Sequence, residues 1–321
     1  MKGQLVISLD FELHWGVSDH RTVESYRTNL QNTPYVVSRL LDLFASRNIH
    51  ATWATVGMLM CRDKNELFSL APPSARPSYL SPSLSNYAVA NEAGENEQDD
   101  PFHFASSLVK RICSTPGQEL STHTFSHYYC LEPGQEINQF RADLEAARKI
   151  AAVYDNVPRS IVFPRNQYAP AYLEVCREAG ILIYRGNFPR WFYRPQAKSK
   201  ESKLKRIFRL ADTYLPVAGT RAVAALREGE MMNIPASCFL RPYSKKLRML
   251  EPLRLWRIKR EMSRIAKRGG LYHLWWHPHN FGNNMEENFR ALETILNHFD
   301  LLRNKYSMES KNMLEIYEES R

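Results

Sequence analysis

The stretch Leu5-Val-Ile-Ser-Leu-Asp-Phe-Glu-Leu-His-Trp-Gly16 constrains this chain most. Leu5, Val6, Ile7 and Leu9 form a short apolar run, partly β-branched, that reads as a buried strand of a parallel sheet. It ends in two carboxylates, Asp10 and Glu12, followed by His14, Trp15 and the breaker Gly16. In parallel-sheet proteins the C-terminal strand ends are where chemistry gathers. Alternation sends Asp10 and Glu12 to one face, roughly 6.6 Å apart along the strand. That suits one carboxylate on a metal ion and the other on the water beside it.

The rest of the chain alternates between strand and helix patterns. Val36, Val37, Leu40, Leu41 and Phe44 give a helix with Pro34 near its start, and His50–Val56 gives a second strand, a βαβ unit. Residues 71–100, rich in Pro, Ser, Asn and Glu, read as a polar surface loop. Helices are expected over 102–113, 137–152, 171–179 and 285–302, and strands at 119–121, 160–163, 181–184 and 270–276. Gly180 stands where a helix C-terminus needs it, and the charged tail after 302 is expected to fray. No glycine-rich phosphate loop is present. The expectation is a single α/β domain over 1–321, a distorted (β/α)7-type barrel with insertions at 71–100 and 190–268.

Charge and cysteine content narrow the setting. The chain carries a formal net charge of +9, but residues 190–268 hold 21 Lys and Arg against 6 Asp and Glu. This basic segment, interleaved with Trp191, Phe192, Tyr193, Phe208 and Trp256, favours anionic partners such as an anionic membrane surface or a pyrophosphate group. No nucleic-acid motif accompanies it, so no nucleic acid is expected. Five scattered cysteines without a CxxC pair point to a reducing compartment. With no secretory or membrane-spanning pattern, a cytoplasmic location is expected, peripheral at the inner membrane face.

Four predicted strand ends carry polar clusters: Asp10/Glu12, His123/His127, Arg165/Asn166 and His277/His279. Two imidazoles four residues apart on a helical turn would share one face and could bind one divalent ion, with a carboxylate as third ligand and a position left for water. His277-Pro-His279 places two imidazoles within reach as proton donors. His14 and Trp15, beside the acids, could line a sugar subsite.

The order and spacing of these motifs resemble the polysaccharide deacetylases of the NodB-homology type, carbohydrate esterase family 4, over roughly residues 4–282. The matching segments are Ser8-Leu-Asp-Phe-Glu12, His123-Thr-Phe-Ser-His127, Phe163-Pro-Arg-Asn-Gln-Tyr168 and Leu274-Trp-Trp-His277. The resemblance implies a barrel-like fold and metal-dependent removal of an N-acetyl group from a carbohydrate. It implies Asp10 as base, His123 and His127 as metal ligands and His277 as general acid, with His279 the alternative. Phe11 separates the two acids, as in an intracellular D-x-E branch, so Glu12 is the expected third ligand. Arg165 would orient the base, although Pro164 precedes it where the family pattern has Arg before Pro. Asn166, Tyr168 and Trp191 are expected to contact substrate. A divalent ion, zinc by this resemblance, is the implied cofactor, and an N-acetylated sugar, a cytosolic precursor of surface polysaccharide, the implied substrate. A cyclic amide or imide hydrolase and a non-catalytic sugar-binding relative are the rival readings.

Overall fold

The structure, a computed structural model, describes residues 2–73 and 76–320. Ten strands form one sheet: β1 (Gly3–Phe11), β2 (Ala51–Thr55), β3 (Gln118–Thr122), β4 (Ser160–Ile161), β5 (Ile183–Tyr184), β6 (Leu226–Glu228), β7 (Met231–Asn233), β8 (Cys238–Phe239), β9 (Gly270–Trp276) and β10 (Glu309–Lys311). Their order is β6-β7-β5-β4-β3-β2-β1-β9-β8, with β10 beside the start of β1. Every pairing is parallel except β6–β7. The sheet curls, so that Arg185 after β5 reaches Asp10 on β1. This is the expected α/β architecture, a distorted barrel.

The period-2 alternation of β1 explains how the site is placed. Leu5, Ile7, Leu9 and Phe11 join the main core with the helices Val23–Arg47, Glu251–Arg268 and Met285–Tyr306. The even positions face inward. Val6 packs with Ile183, Met232 and Leu271 in an apolar floor. Ser8 stands above it in a polar layer, bonded to Arg185 and His273. Asp10 and Glu12 come next, where the parallel strands end. A slip of one residue would send this whole ladder of polar groups into the helical layer.

Several elements differ from expectation. The first helix begins eleven residues before Pro34, because Thr22 and Ser25 form a reciprocal cap there. The tail does not fray: β10 pairs with β1, and Met313, Ile316 and Tyr317 of the helix Met313–Glu319 are buried. The polar loop contains the helix Asn86–Glu92, with Asn86 and Tyr87 buried; its residues 74 and 75 lie outside the described residues.

The basic segment 190–268 is not an appendage, since it supplies β6, β7 and β8 and a core helix. Part of its charge is internal. Asp212 accepts from Arg221 and Arg257, all three buried, and Arg254 is paired with Glu251. Strands of two or three residues among arginines give no periodic pattern to read.

Candidate metal centre and active site

The ends of β1, β3, β4, β5 and β9 deliver the polar clusters to one place. His123 continues the β3 ladder, its N–H donating to Thr55 O at 2.9 Å. The loop that follows is not a helical turn, because Thr124 and His127 have φ of +64° and +59°. Asp143 holds that loop. Its carboxylate accepts from Phe125 N at 2.7 Å, Ser126 N at 3.0 Å and the Ser126 hydroxyl, and burial pushes its pKa up to about 6. His123 and His127 therefore do converge, through a braced left-handed loop rather than helical spacing.

Glu12 lies at the centre of this arrangement. Its Oε2 is 3.1 Å from His127 Nε2 and 3.3 Å from His123 Nε2. All three residues are buried, with their ligand atoms clustered tightly enough to hold one ion. Such separations suit neighbouring ligand atoms on an ion bound at about 2.0–2.2 Å. Protonation fits as well. His123 Nδ1 faces Val162 O at 2.7 Å and must donate to that carbonyl. When the ring is neutral, Nε2 therefore turns a lone pair toward a carboxylate, an arrangement a cation relieves. His127 Nδ1 is engaged by Tyr129 Oη at 3.1 Å, and burial pushes this imidazole toward its neutral form. The donor set Glu12, His123 and His127 thus fits a divalent ion.

Gly16 makes room for the carboxylate, since a Cβ there would sit 2.0 Å from Glu12 Cδ. The other oxygen, Oε1, faces His277 Nε2 at 3.4 Å and His279 Nε2 at 3.9 Å. These two histidines and Glu12 form a second candidate ligand set. It is the weaker one, because among the described residues His279 Nδ1 has no hydrogen-bond partner to orient its ring. Burial of His279 pushes its pKa down to about 3. His277 is partly exposed and lines a cavity of about 430 Å³ together with Glu12 and Tyr26.

Asp10 is clamped by Arg185, whose Nη1 and Nη2 donate to Oδ1 at 2.6 Å and Oδ2 at 2.8 Å. Burial raises the pKa of Asp10, but the charge and hydrogen bonds of Arg185, together with the nearby imidazoles of His123 and His277, outweigh it, and the carboxyl lies below the usual range. Arg185 is itself fully buried, donates to Ser8 Oγ and Asn166 Oδ1, and lies over the Trp275 ring.

Arg165, expected to orient the base, does not. It pairs with Asp19 and Glu132 and lies over the Tyr129 ring, which in turn contacts His127. The left-handed backbone at Arg165 and Asn166 turns its side chain that way. Asn166 does reach the site, through Arg185.

Four other expected substrate contacts fail on burial or position. Trp15 is fully buried, donating to His103 O, and His14 is bonded to His103 and Arg21 O. Both brace the loop after β1 instead of facing a ligand. Tyr168 packs between Phe163 and Tyr184. Trp191 is exposed against Phe192 and Phe208, outside both cavities beside the site.

No protein-family model matches the chain, and comparison with curated proteins finds no significant match. Solved structures are similar. One from Mycobacterium smegmatis, described as a polysaccharide deacetylase, has a TM-score of 0.59 at 14% identity, covering 99% of this chain and 91% of its own. A second so described, from Pseudomonas aeruginosa PAO1, has a TM-score of 0.55 at 11% identity, covering 98% and 89%. The chain has the polysaccharide-deacetylase fold. That fold is not confined to one activity, for Puue allantoinase has a TM-score of 0.54 at 10% identity, covering 98% and 88%. At such identities the polysaccharide-deacetylase fold is what is shared, and the chemistry has to be argued from the site.

Sequence reasoning missed Arg185, Asp143 and the Ser8–His273 pair. Arg185 was within reach: it directly follows the apolar strand ending at Tyr184, as Asp10 and His123 stand at their own strand ends. Asp143 carried no signal, lying mid-helix in a mixed-charge pattern.

Proposed function

We propose that this chain is a metal-dependent hydrolase that removes an N-acetyl group from a carbohydrate. One observation carries the reading: Glu12, His123 and His127 converge on a single point, beside a carboxylate, Asp10, that Arg185 holds ionised. The two nitrogens and one oxygen suit zinc, and a divalent ion held there would acidify a water molecule and polarise an amide carbonyl.

The chain's own groups supply the proton transfers. Asp10 takes the proton of the attacking water, with Arg185 fixing both carboxylate oxygens so that little reorganisation is needed. The water oxygen bonds to the acyl carbon, the C–N bond breaks, and acetate and an amine result. The amine leaves only if protonated. His277, partly exposed and 3.8 Å from Asp10, is placed to give that proton, whereas His279 is buried and neutral at working pH. The five cysteines are unpaired, four of them buried, which supports a reducing compartment and hence a cytosolic sugar precursor as substrate.

The test is acetate release from a panel of N-acetylated sugars, run beside ring opening of cyclic amides and imides. The expected result is acetate release that a chelator abolishes and zinc restores. Ring opening alone would replace this reading with the cyclic-amide one. Neither reaction from metal-loaded protein would leave a binding protein.

A further inference from the structure

A second cavity, of about 450 Å³, adjoins the site. Its lining includes Asn166 and Trp275, both in contact with Arg185, and Phe239, which packs against His277. Seven cationic side chains line it against one carboxylate, Glu201. Four of the seven are already paired with a carboxylate. Arg165 and Lys198 share Asp19, Arg209 pairs with Glu201, and Arg221 with Asp212. Among the described residues, the guanidinium groups of Arg194, Arg206 and Arg241 have neither a hydrogen bond nor an ion pair. Arg221 is buried and fixed by Asp212 and Ser237 O, so the wall behind them is rigid.

Three uncompensated charges around one concavity repel one another, and a cleft of one sign focuses its field on a ligand of the other. We propose that this cavity binds a diphosphate group that links the N-acetylated sugar to the remainder of its substrate. The inference rests on the hydrolase reading above and narrows its substrate class.

Guanidinium groups match phosphate oxygens in bidentate geometry. A lone carboxylate would leave most of the charge unanswered, whereas a diphosphate brings several ionised oxygens. Trp275 and Phe239 offer apolar faces at the inner end, where a sugar ring would rest with its acetamido group toward Asp10. The volume lies within the ordinary range for a small-molecule site. The diphosphate could belong to a nucleotide sugar or to a lipid-linked one. Leu204 and Ile207, exposed on the helix Lys203–Tyr214 beside Arg206, would suit the lipid.

The experiment has a binding arm and a kinetic arm, both on the full chain. Pyrophosphate is titrated calorimetrically into wild type and into the Arg206→Glu, Arg241→Glu double variant, with thermal melts to verify folding. The expected result is saturable binding that weakens at least tenfold in the variant and with added salt. Failure to bind, or equal binding by a folded variant (which includes capture by the metal centre), overturns the proposal.

In the kinetic arm, KM is compared for a free N-acetylhexosamine, its nucleoside-diphosphate form and its polyprenyl-diphosphate form. At least one diphosphate form should have a KM tenfold below that of the free sugar, an advantage lost in the variant, and the better of the two identifies the source. Equal KM values for all three overturn the proposal while the hydrolase reading stands. Variant-sensitive pyrophosphate binding with no acetate released from any form would instead sink the hydrolase reading.

Discussion

Asp10→Asn lowers the turnover of acetate release by about 10²–10⁴-fold and leaves the bound metal in place. The substitution keeps the shape of the side chain but removes its ability to take a proton. Glu12, His123 and His127 do not depend on Asp10 for their own contacts. Single-turnover kinetics beside metal analysis of the same preparation measure both. A variant that keeps wild-type turnover removes Asp10 as the base. One that loses the ion as well makes Asp10 a ligand.

Arg185→Ala has the largest effect on stability, a loss of about 3–5 kcal/mol read by denaturant unfolding. The guanidinium is fully buried and answers the charge of Asp10, so truncation strands a carboxylate inside the barrel. The sign of the pH dependence follows. In the wild type, Arg185 holds the Asp10 pKa below its ordinary value, so its contribution is present at neutral pH and is lost as pH falls through the depressed pKa. In the variant burial is opposed only by the more distant His123 and His277, and the pKa of Asp10 rises. The deficit should therefore narrow on acidification, as Asp10 takes up a proton. Arg185→Lys should not rescue activity, because one ammonium cannot span both carboxylate oxygens. A deficit that does not depend on pH would mean that Arg185 acts by packing alone.

Much of this was legible in the sequence because buried strands and their ends have strong local signatures. The apolar run from Leu5 to Leu9 and the strand Gly270–Trp276 lie where their patterns place them, as does the helix Ile137–Ala152. Asp10, Glu12, His123, His127 and His277 do come together.

What failed needed three-dimensional context. The local sequence could not say that Arg165 turns away while Arg185, twenty residues on, crosses the barrel. That depends on two left-handed residues and on the curl of the sheet. Trp15 reads as a wall of a sugar subsite beside the acids, yet its indole is sealed by His103 from a distant loop. The strands of 190–268 are too short to show alternation, and part of their charge is answered by Asp212, one carboxylate in a run of arginines.

The central claim is that Glu12, His123 and His127 hold one divalent ion. Metal content per chain, by mass spectrometry on protein purified without chelator, tests it most directly when wild type, His123→Ala and His127→Ala are compared with melts to verify folding. The account predicts close to one zinc-like ion per wild-type chain and almost none in either folded variant. A metal-free wild type after zinc loading, or variants that retain the full complement, would contradict it.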